Sequence, residues 1–255
     1  MKDVANQSRS IIPKCYFLSF ILSLSFLIFL SLKSTILMNK PITGPTVNDD
    51  VSGSTIVIRS GYTSYDNYIQ HQLRKTNNPK LRKIWTTRDW DRKIRVFTQF
   101  FMDLKHKNLL SNSSKALCVG ARVGQEVEAL KRVGVWDSIG LDLVPYPPLV
   151  IQGDFHSQPF DKETFDFEFS NVFDHALYPK KFVGEIQRTL KAGGICVLHV
   201  AVSRRSDKYS ANDLFSLEPL IKLFNGSELI YSRKVDGFGL DTEIVFRKKN
   251  TIQWL

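Results

Sequence analysis

Cysteine is scarce in this sequence, and acidic residues are scarce in one part of it. Of its three cysteines, Cys15 falls in a long apolar run, while Cys118 and Cys196 fall in segments with the pattern of buried strands, so we predict no disulfide framework. Residues 59–107 hold 12 lysines and arginines against 4 acids, whereas residues 108–255 hold 18 of each sign. The net charge of +10 therefore belongs mainly to one segment of the chain.

A long uncharged run stands near the start of the chain. Residues 15–32 lie between Lys14 and Lys33, and a helix of that length, at about 1.5 Å per residue, spans a bilayer core. A cleaved signal peptide is the alternative, but its apolar region is normally shorter and is followed by a small-residue cleavage site. We expect an uncleaved transmembrane signal anchor at residues 15–32.

The charges that flank the run indicate its orientation. Three cations precede it and two follow it closely, which favours a cytosolic N-terminus, residues 1–14, and a luminal C-terminal part. Residues 33–54 are rich in Pro, Gly, Ser and Asp, as flexible stalks are. We expect a type II single-pass protein of a secretory-pathway membrane, with the Golgi as the compartment. Two Asn-x-Ser sites, at Asn112 and Asn225, lie in the part assigned to the lumen.

Residues 55–110 form a basic segment with a helical pattern. Thr87 is the expected N-cap of its clearest helix, which should pack on the following domain. The cations of this segment either form the solvated faces of packed helices or hold an anionic polymer such as a uronic-acid polysaccharide. The apolar stripe of that helix consists of Trp90, Ile94, Phe97, Phe101 and Leu104.

Residues 111–255 alternate between strand-like and helix-like stretches. Such alternation predicts an α/β domain with a Rossmann-like, doubly wound, mostly parallel sheet covered on both faces. The last two strand-like stretches, LIYSRKV and TEIVFRK, are separated by the glycine-containing DGFGLD, which predicts a C-terminal antiparallel β-hairpin. One domain of this type is the expected folded part of the chain.

Polar and glycine residues follow the predicted strands, where ligands bind in such sheets. The first strand ends at Gly120 and its helix starts near Gly124, so backbone amides can approach a polar ligand there. The second strand ends in Asp142, at a distance that suits a carboxylate binding ribose hydroxyls. The third ends in Asp154 and Phe155, an acceptor and an apolar contact for an adenine ring.

The fourth strand ends at Asn171, and Asp174 and His175 follow in the loop. We predict Asp174 or His175 as the group that manages a proton. Structural readings stay open for each position: the glycines permit tight packing, the aspartates begin loops, Phe155 belongs to the core, and His175 is a helix cap or surface group.

Residues 115–247 resemble a class I S-adenosylmethionine-dependent methyltransferase domain of the type 11 kind. The motifs LCVGARVG, GLDLV, GDFHSQPFDKETFDFEFSNVFDH and EIQRTLKAGG carry the resemblance by their order and spacing. It implies S-adenosylmethionine as cofactor, with its methionine part at Gly120 and Gly124, its ribose at Asp142, its adenine at Asp154 and Phe155, and its methyl group near Asn171. The resemblance extends to membrane-anchored plant methyltransferase-like proteins.

Two positions depart from the pattern of that family. Cys118 stands where the family usually has an acid, and Arg122 stands where it has the middle glycine of the turn. Arg122 either blocks the methionine pocket or pairs with the methionine carboxylate through a charge-assisted hydrogen bond. Because the ribose and adenine positions are intact, we expect the chain to bind the cofactor.

The leading hypothesis for function is methyl transfer from S-adenosylmethionine to a glycan or another anionic acceptor in the secretory pathway. A non-catalytic methyltransferase-fold scaffold, or partner protein, is the alternative. A nicotinamide-dependent oxidoreductase fits poorly, since a dinucleotide loop needs glycines at Arg122 and Gln125. We predict no nucleic-acid partner, because of the compartment, and no metal site.

Overall fold

The part of the chain described by the computed structural model is residues 56–205 and 207–250. The predicted cytosolic N-terminus, anchor and stalk therefore lie outside the described residues. Among the helices of residues 56–205 and 207–250, none combines the length and the apolar character of a bilayer span. The anchor at residues 15–32 stays a prediction.

The basic segment forms a short strand and three helices. They are β1 (Ile56–Ile58), α1 (Tyr65–Thr76), α2 (Pro79–Thr86) and α3 (Trp90–His106). The break between α1 and α2 comes at Asn78, whose side chain accepts from the backbone N–H groups of Lys80 and Leu81, and at Pro79, which suits a first helical position.

The predicted N-cap of α3 was wrong. The hydroxyl of Thr87 donates to the carbonyl oxygen of Lys83 at 2.6 Å, so Thr87 serves the end of α2, and Asp89 is the residue that precedes α3. A hydroxyl can satisfy the last carbonyls of one helix or the first N–H groups of the next, and only the chain geometry decides between them.

The remaining chain builds the α/β domain. The expected fold is confirmed as a mostly parallel sheet that ends in an antiparallel hairpin, β8 with β9. Its elements are β2 (Ala116–Val119), α4 (Gln125–Arg132), β3 (Ser138–Asp142), β4 (Val150–Gln152), β5 (Phe165–Ser170), a 3₁₀ turn (Phe173–His175), α5 (Pro179–Thr189), β6 (Leu190–Val200), β7 (Asn212–Leu214), α6 (Glu218–Leu223), β8 (Ser227–Lys234) and β9 (Thr242–Lys248).

The seven-stranded sheet has the order β4-β3-β2-β5-β6-β9-β8. The chain runs outward from β2 to β4 on one side and then from β5 to β6 on the other, so the order reverses between β2 and β5. The loops after these two strands separate at that point and leave a crevice at the carboxyl ends of the strands. The topology thus places the binding site next to Gly120 and Asn171.

Aromatic side chains fix α3 to the sheet. Phe101 of α3 contacts Phe167 and Phe169 of β5 edge to face, with ring centres 6.1 and 5.2 Å apart. Phe97 contacts Phe169 in the same way, and all four rings are buried. The expected packing of this helix on the domain is confirmed. Rings of this size contribute several kcal/mol of burial each, on the order of 3–5 kcal/mol by truncation to alanine.

A second, two-stranded sheet was not predicted. β1 pairs antiparallel with β7, and Arg59 just beyond β1 forms an ion pair with the buried Asp213 of β7 at 2.6 Å. Arg59 also donates to the carbonyl oxygens of Arg205 and Asp207. The start of the described chain therefore holds the segment that carries Arg205 and Asp207.

Candidate functional site

A cavity of about 170 Å³ lies at the carboxyl ends of the central strands. Seven of the nine predicted site residues line it, and Gly124 and Asp154 do not. Those seven are Gly120, Arg122, Asp142, Phe155, Asn171, Asp174 and His175. The topology thus brings together residues that the sequence separates by more than 50 positions.

The turn after β2 has three residues with positive φ, and only two of them are glycines. Gly120 has a φ of +76°, and a Cβ there would come within 2.3 Å of the Val172 side chain, so glycine is required. Gly124 has a φ of +85° and precedes α4, where a Cβ would meet Leu149. Arg122 also has a positive φ, 49°, which costs a non-glycine residue on the order of 1 kcal/mol or more. Arg122 thus has the left-handed backbone conformation that glycine usually adopts.

The backbone of that turn is tied to the end of β3. The N–H of Arg122 donates to Oδ2 of Asp142 at 2.9 Å, and the N–H of Val144 donates to Oδ1 at 3.3 Å. Burial raises the pKa of Asp142 above its ordinary value, although these two hydrogen bonds oppose the shift. The guanidinium of Arg122 lies 5.0 Å from the centre of the Trp85 ring, a cation–π contact with α2.

Of the two predicted site residues after β4, only one lies at the cavity. Phe155 lines the cavity, but the carboxylate of Asp154 lies outside it and accepts from the Tyr65 hydroxyl and, at 2.8 Å, from the backbone N–H of His156. Burial opposes ionisation of Asp154, yet the hydrogen bonds from His156 and Tyr65 keep its pKa below the ordinary value. Helix α1 thus binds the carboxylate that was expected to face adenine.

Asn171 lies at the switch point and joins two elements. Its side-chain nitrogen donates to Oε1 of Glu126 in the first turn of α4, at 3.0 Å. Oε2 of Glu126 is buried and has no hydrogen-bond partner among the described residues. A buried acceptor without a donor is costly, so Glu126 leaves one unsatisfied oxygen at the start of α4, next to Asn171.

His175 has one defined tautomer in its neutral form. Gln72 of α1 uses its side-chain nitrogen to donate to the carbonyl oxygen of Tyr209 at 2.8 Å, which leaves its oxygen facing Nδ1 of His175 at 3.0 Å. Nδ1 must therefore carry the proton, and Nε2 is the acceptor. Burial lowers the pKa of His175, against the raising effect of Asp174, so the imidazole is neutral at pH 7.

An ion pair stands next to that free nitrogen. Nζ of Lys75 lies 3.3 Å from Nε2 of His175 and 2.5 Å from Oδ2 of Asp207. Burial opposes ionisation of Asp207, but hydrogen bonds from Lys75 and from the Tyr209 N–H outweigh it and lower its pKa to about 2. Burial also lowers the pKa of Lys75. Asp207 is thus a fixed negative charge close to the imidazole.

Asp174, the other predicted catalytic residue, is occupied by structural contacts. Its Oδ2 accepts from the Ser210 hydroxyl at 2.5 Å and lies 3.5 Å from Nε of Arg205. Its backbone oxygen accepts from the N–H of Ala211 at 2.7 Å. The geometry therefore favours His175 over Asp174 as the group that accepts a proton.

Eleven residues of the cavity wall were not predicted from the sequence, and six of these have charged, amide or aromatic side chains. Most come from the basic segment or from loops whose sequences carry no motif. One signal was available, because Lys93 lies three residues after Trp90 and four before Phe97, on the side of α3 that carries the apolar stripe. In the structure it is only 7% exposed. The six residues are Gln72, Lys75, Lys93, Arg205, Asp207 and Phe238.

Comparison with known proteins agrees with this description. Residues 117–198 match a family described as "Methyltransferase domain". The matched stretch runs from β2 into β6 and includes the glycine turn, the ends of β3, β4 and β5, and His175. No curated protein sequence is similar enough to count as a relative.

Two solved structures show the same fold. The 1,6-didemethyltoxoflavin-N1-methyltransferase of Burkholderia thailandensis, solved with 1,6-didemethyltoxoflavin and S-adenosylhomocysteine, has a TM-score of 0.57 and 14% identity over 79% of this chain and 98% of its own. A protein of Galdieria sulphuraria described as a sarcosine dimethylglycine methyltransferase has a TM-score of 0.50 and 17% identity over 61% of this chain and 86% of its own.

The domain has the class I methyltransferase fold, and the matched family indicates S-adenosylmethionine as the cofactor. The expectation of this fold and cofactor is confirmed. The finer resemblance to membrane-anchored plant proteins stays a prediction.

Proposed function

We propose that this chain is an S-adenosylmethionine-dependent methyltransferase that methylates an oxygen atom of an anionic acceptor, with His175 as the general base. The observation that carries the proposal is the unprotonated Nε2 of His175, held toward a cavity that also contains Asp142 and the glycine turn. A base that is neutral at pH 7 and lies beside the cofactor position suits proton removal from a hydroxyl acceptor.

The cavity residues fit the cofactor in their chemistry. The carboxylate of Asp142 can accept from ribose hydroxyls, because each of its oxygens has only one donor in the structure and retains a lone pair. Leu143 and Phe155 provide apolar surface for the adenine ring. When bound, the cofactor supplies a methyl group that its sulfonium already activates. The protein then has to align the acceptor and manage its proton.

His175 performs the second of these tasks. The acceptor hydroxyl takes the place of Lys75 as the hydrogen-bond donor to Nε2, and Nε2 removes its proton as the oxygen attacks. The imidazolium that forms is stabilised by Oδ2 of Asp207 at 3.8 Å and by Oδ2 of Asp174 at 4.0 Å. Gln72 keeps the ring in place throughout through its bond to Nδ1.

The charges of the cavity support an anionic acceptor. Lys75, Lys93, Arg122 and Arg205 line the cavity, and its carboxylates, Asp142, Asp174 and Asp207, already accept hydrogen bonds from protein groups. A cofactor with a sulfonium adds further positive charge. An acidic glycan, such as a uronic-acid polymer, would balance this excess and offer hydroxyl and carboxylate oxygens.

The test is calorimetric titration of the purified full-length chain with S-adenosylmethionine and S-adenosylhomocysteine. It is followed by transfer of a labelled methyl group to a uronic-acid polymer. We expect micromolar binding of both nucleosides and labelling that depends on His175. Binding without labelling of any acidic or neutral glycan would contradict the acceptor class. Absence of binding would contradict the enzyme proposal itself.

A non-catalytic scaffold is the second candidate, and the positive φ of Arg122 favours it. In that case the turn is closed to the methionine part of the cofactor, and the domain serves glycan-modifying partners. The titration distinguishes the two, because a scaffold with a closed turn binds no cofactor until Arg122→Gly opens it.

The location in the secretory pathway, with the domain in the Golgi lumen, is a further part of the proposal. The uncharged run at residues 15–32 and the cations before it support it, and both Asn112 and Asn225 are exposed on the folded domain. We expect the expressed protein to lose mass on treatment with an N-glycosidase, and the double variant Asn112→Gln, Asn225→Gln to show no change. A wild-type protein that does not shift would contradict the luminal orientation.

A further inference from the structure

Lys93 is a buried cation that the proposed mechanism does not use. It lies in the first turn of α3, is only 7% exposed, and lines the cavity. Its neighbours along the helix, Ile94 and Phe97, face the hydrophobic core. An apolar residue would fill this position at lower cost, since burying a charge is expensive unless the charge is paired. We therefore expect Lys93 to pair with an anionic group of a ligand in the cavity.

Within the described residues, Nζ of Lys93 has no hydrogen-bond acceptor and no carboxylate within ion-pair distance. Nζ lies 4.9 Å from the centre of the Phe238 ring, a cation–π contact. Burial, together with the nearby charge of Arg122, lowers the pKa of Lys93 to about 7. The ammonium group thus presents its donors to the cavity without a protein partner.

The position of Lys93 identifies the part of a ligand that it would meet. Lys93 lines the cavity together with Gly120 and Arg122 of the turn after β2, and the apolar face of α3 packs on α4, the helix that follows this turn. The charged groups that act on its amine are Arg122, Glu126, Asp89 and Arg92. Arg122 could have met an anion at this end, but its guanidinium lies over Trp85.

From these contacts we infer that Lys93 binds the carboxylate of the amino-acid part of the cofactor. In this arrangement the carboxylate is bound by a side chain in the first turn of α3 and not by the residue at position 122 of the glycine turn. This rests on the proposed function, because it places the amino-acid part at the glycine turn. The basic segment then contributes to both ends of the cavity, through Lys93 at one and Gln72 and Lys75 at the other.

The experiment is calorimetric titration of the full-length chain and of Lys93→Met with two ligands. S-adenosylhomocysteine carries the amino-acid part, and 5′-methylthioadenosine lacks it. We expect Lys93→Met to weaken binding of S-adenosylhomocysteine by about 10- to 100-fold, as loss of a charged hydrogen bond does, and to leave binding of 5′-methylthioadenosine unchanged. Arg95→Met, which removes an exposed cation from the same helix, should change neither affinity.

A second readout follows the proton. A carboxylate beside Lys93 raises the pKa of the amine, so binding of S-adenosylhomocysteine at pH 8 should take up a large fraction of one proton. Titrations in buffers with different ionisation enthalpies measure this uptake. It should be absent from Lys93→Met and present in Arg95→Met.

The outcomes separate this inference from the proposed function. If the wild-type chain binds S-adenosylhomocysteine and Lys93→Met binds it equally well, the inference is wrong and the proposed function stands. If Lys93→Met weakens both ligands equally, Lys93 supports the cavity as a whole and the inference is also wrong. If the wild-type chain binds neither ligand, both the proposed function and the inference fail. Thermal melting verifies the fold, and replacement of a buried cation by methionine should not lower the midpoint.

Discussion

The two ends of the cavity are built by different means. At the cofactor end, one short stretch, Gly120 to Gly124, forms a turn whose backbone binds Asp142 of the neighbouring strand. At the proton-accepting end, Lys75 meets His175, which is 100 residues away along the chain, and Asp207, which is 132 residues away. The first end follows a motif and departs from it at Arg122. At the second end, only His175 belongs to a motif, yet Lys75 connects it to Asp207 in a continuous network of hydrogen bonds.

This difference shows where the constraint on each end comes from. A glycine turn works through its backbone, so it tolerates a side chain such as that of Arg122 if the chain bears the strain and the side chain points away. A general base works through one lone pair, so its tautomer and its neighbours must be fixed by other side chains. Substitutions at the two ends should therefore affect different steps of the reaction.

The largest effect is expected at the proton-accepting end. His175→Asn should lower turnover by a factor of about 10² to 10⁴, the usual contribution of a general base, and should leave affinity for S-adenosylhomocysteine unchanged. Methyl transfer to the acidic glycan and calorimetry measure the two quantities. The exposed His106→Asn serves as the control. A loss of affinity in His175→Asn equal to the loss of turnover would show that the two ends are not separate.

The next effect belongs to the cofactor end. Asp142→Ala should weaken binding of S-adenosylhomocysteine by about 100-fold, because charged hydrogen bonds to the ribose are lost at about 1.5–3 kcal/mol each. The exposed Asp137→Ala, just before the same strand, is the matched control and should bind normally. Asp142→Ala that binds as tightly as wild type would place the ribose elsewhere.

The pH dependence of turnover should report on the proton-accepting end alone, without any substitution. Burial holds the pKa of His175 below 6.5, so its base form is present at neutral pH and is lost as the pH falls through that lowered value. Turnover should therefore be flat near pH 7 and decline in the acidic range. The same shift makes the fold less stable below pH 6.5, where the unfolded chain takes up a proton before the folded chain does.

The measurement is the pH profile of turnover at saturating cofactor, with thermal midpoints recorded at each pH. Asp207→Asn removes a charge that favours the protonated imidazole, so the acidic limb should move to lower pH. A limb that stays in place in Asp207→Asn, or that rises above pH 7 in the wild type, would contradict the assignment to His175.

The smallest effect is expected at Arg122. Arg122→Gly relieves a positive φ, but it also removes the contact with Trp85 and adds freedom to the unfolded chain. These contributions, each about 0.5–1 kcal/mol or slightly more, nearly cancel, so stability should change by no more than about 1 kcal/mol. Calorimetry should show little change in affinity for S-adenosylhomocysteine. A large gain in affinity would favour the scaffold proposal, and a large loss would assign the carboxylate to Arg122 rather than to Lys93.

The fold was predictable because its signals are local. The strands of the seven-stranded sheet and the helices α4 and α5 follow hydrophobic runs and turn residues, and the hairpin follows DGFGLD. The sheet of β1 with β7 was not predictable, since a strand of three residues does not indicate its partner and this pairing joins Ile56 to Leu214 at the far end of the domain sequence. Thr87 failed as a cap because its hydroxyl can donate to a carbonyl of α2 or accept from an N–H of α3, and the sequence does not decide between them.

The site divides in the same way. Gly120, Asp142, Phe155, Asn171, Asp174 and His175 were found because residues at the ends of parallel strands meet at one edge of a sheet. Asp154 follows the same rule but lies outside the cavity, because the hydroxyl of Tyr65 binds it from a helix whose position the strand pattern does not encode.

The sequence by itself determined the α/β class, the hairpin, the strand ends that form the cavity and the departure at Arg122, because each depends on neighbours within a few residues. Only the tertiary structure decided which nitrogen of His175 is free, where the guanidinium of Arg122 lies, and that Lys93 meets the cavity. The tautomer of His175 depends on contacts with residues 100 or more positions away along the chain. The places of Arg122 and Lys93 depend on how α2 and α3 pack against the sheet. Such packing is set by the whole core rather than by any one stretch of chain.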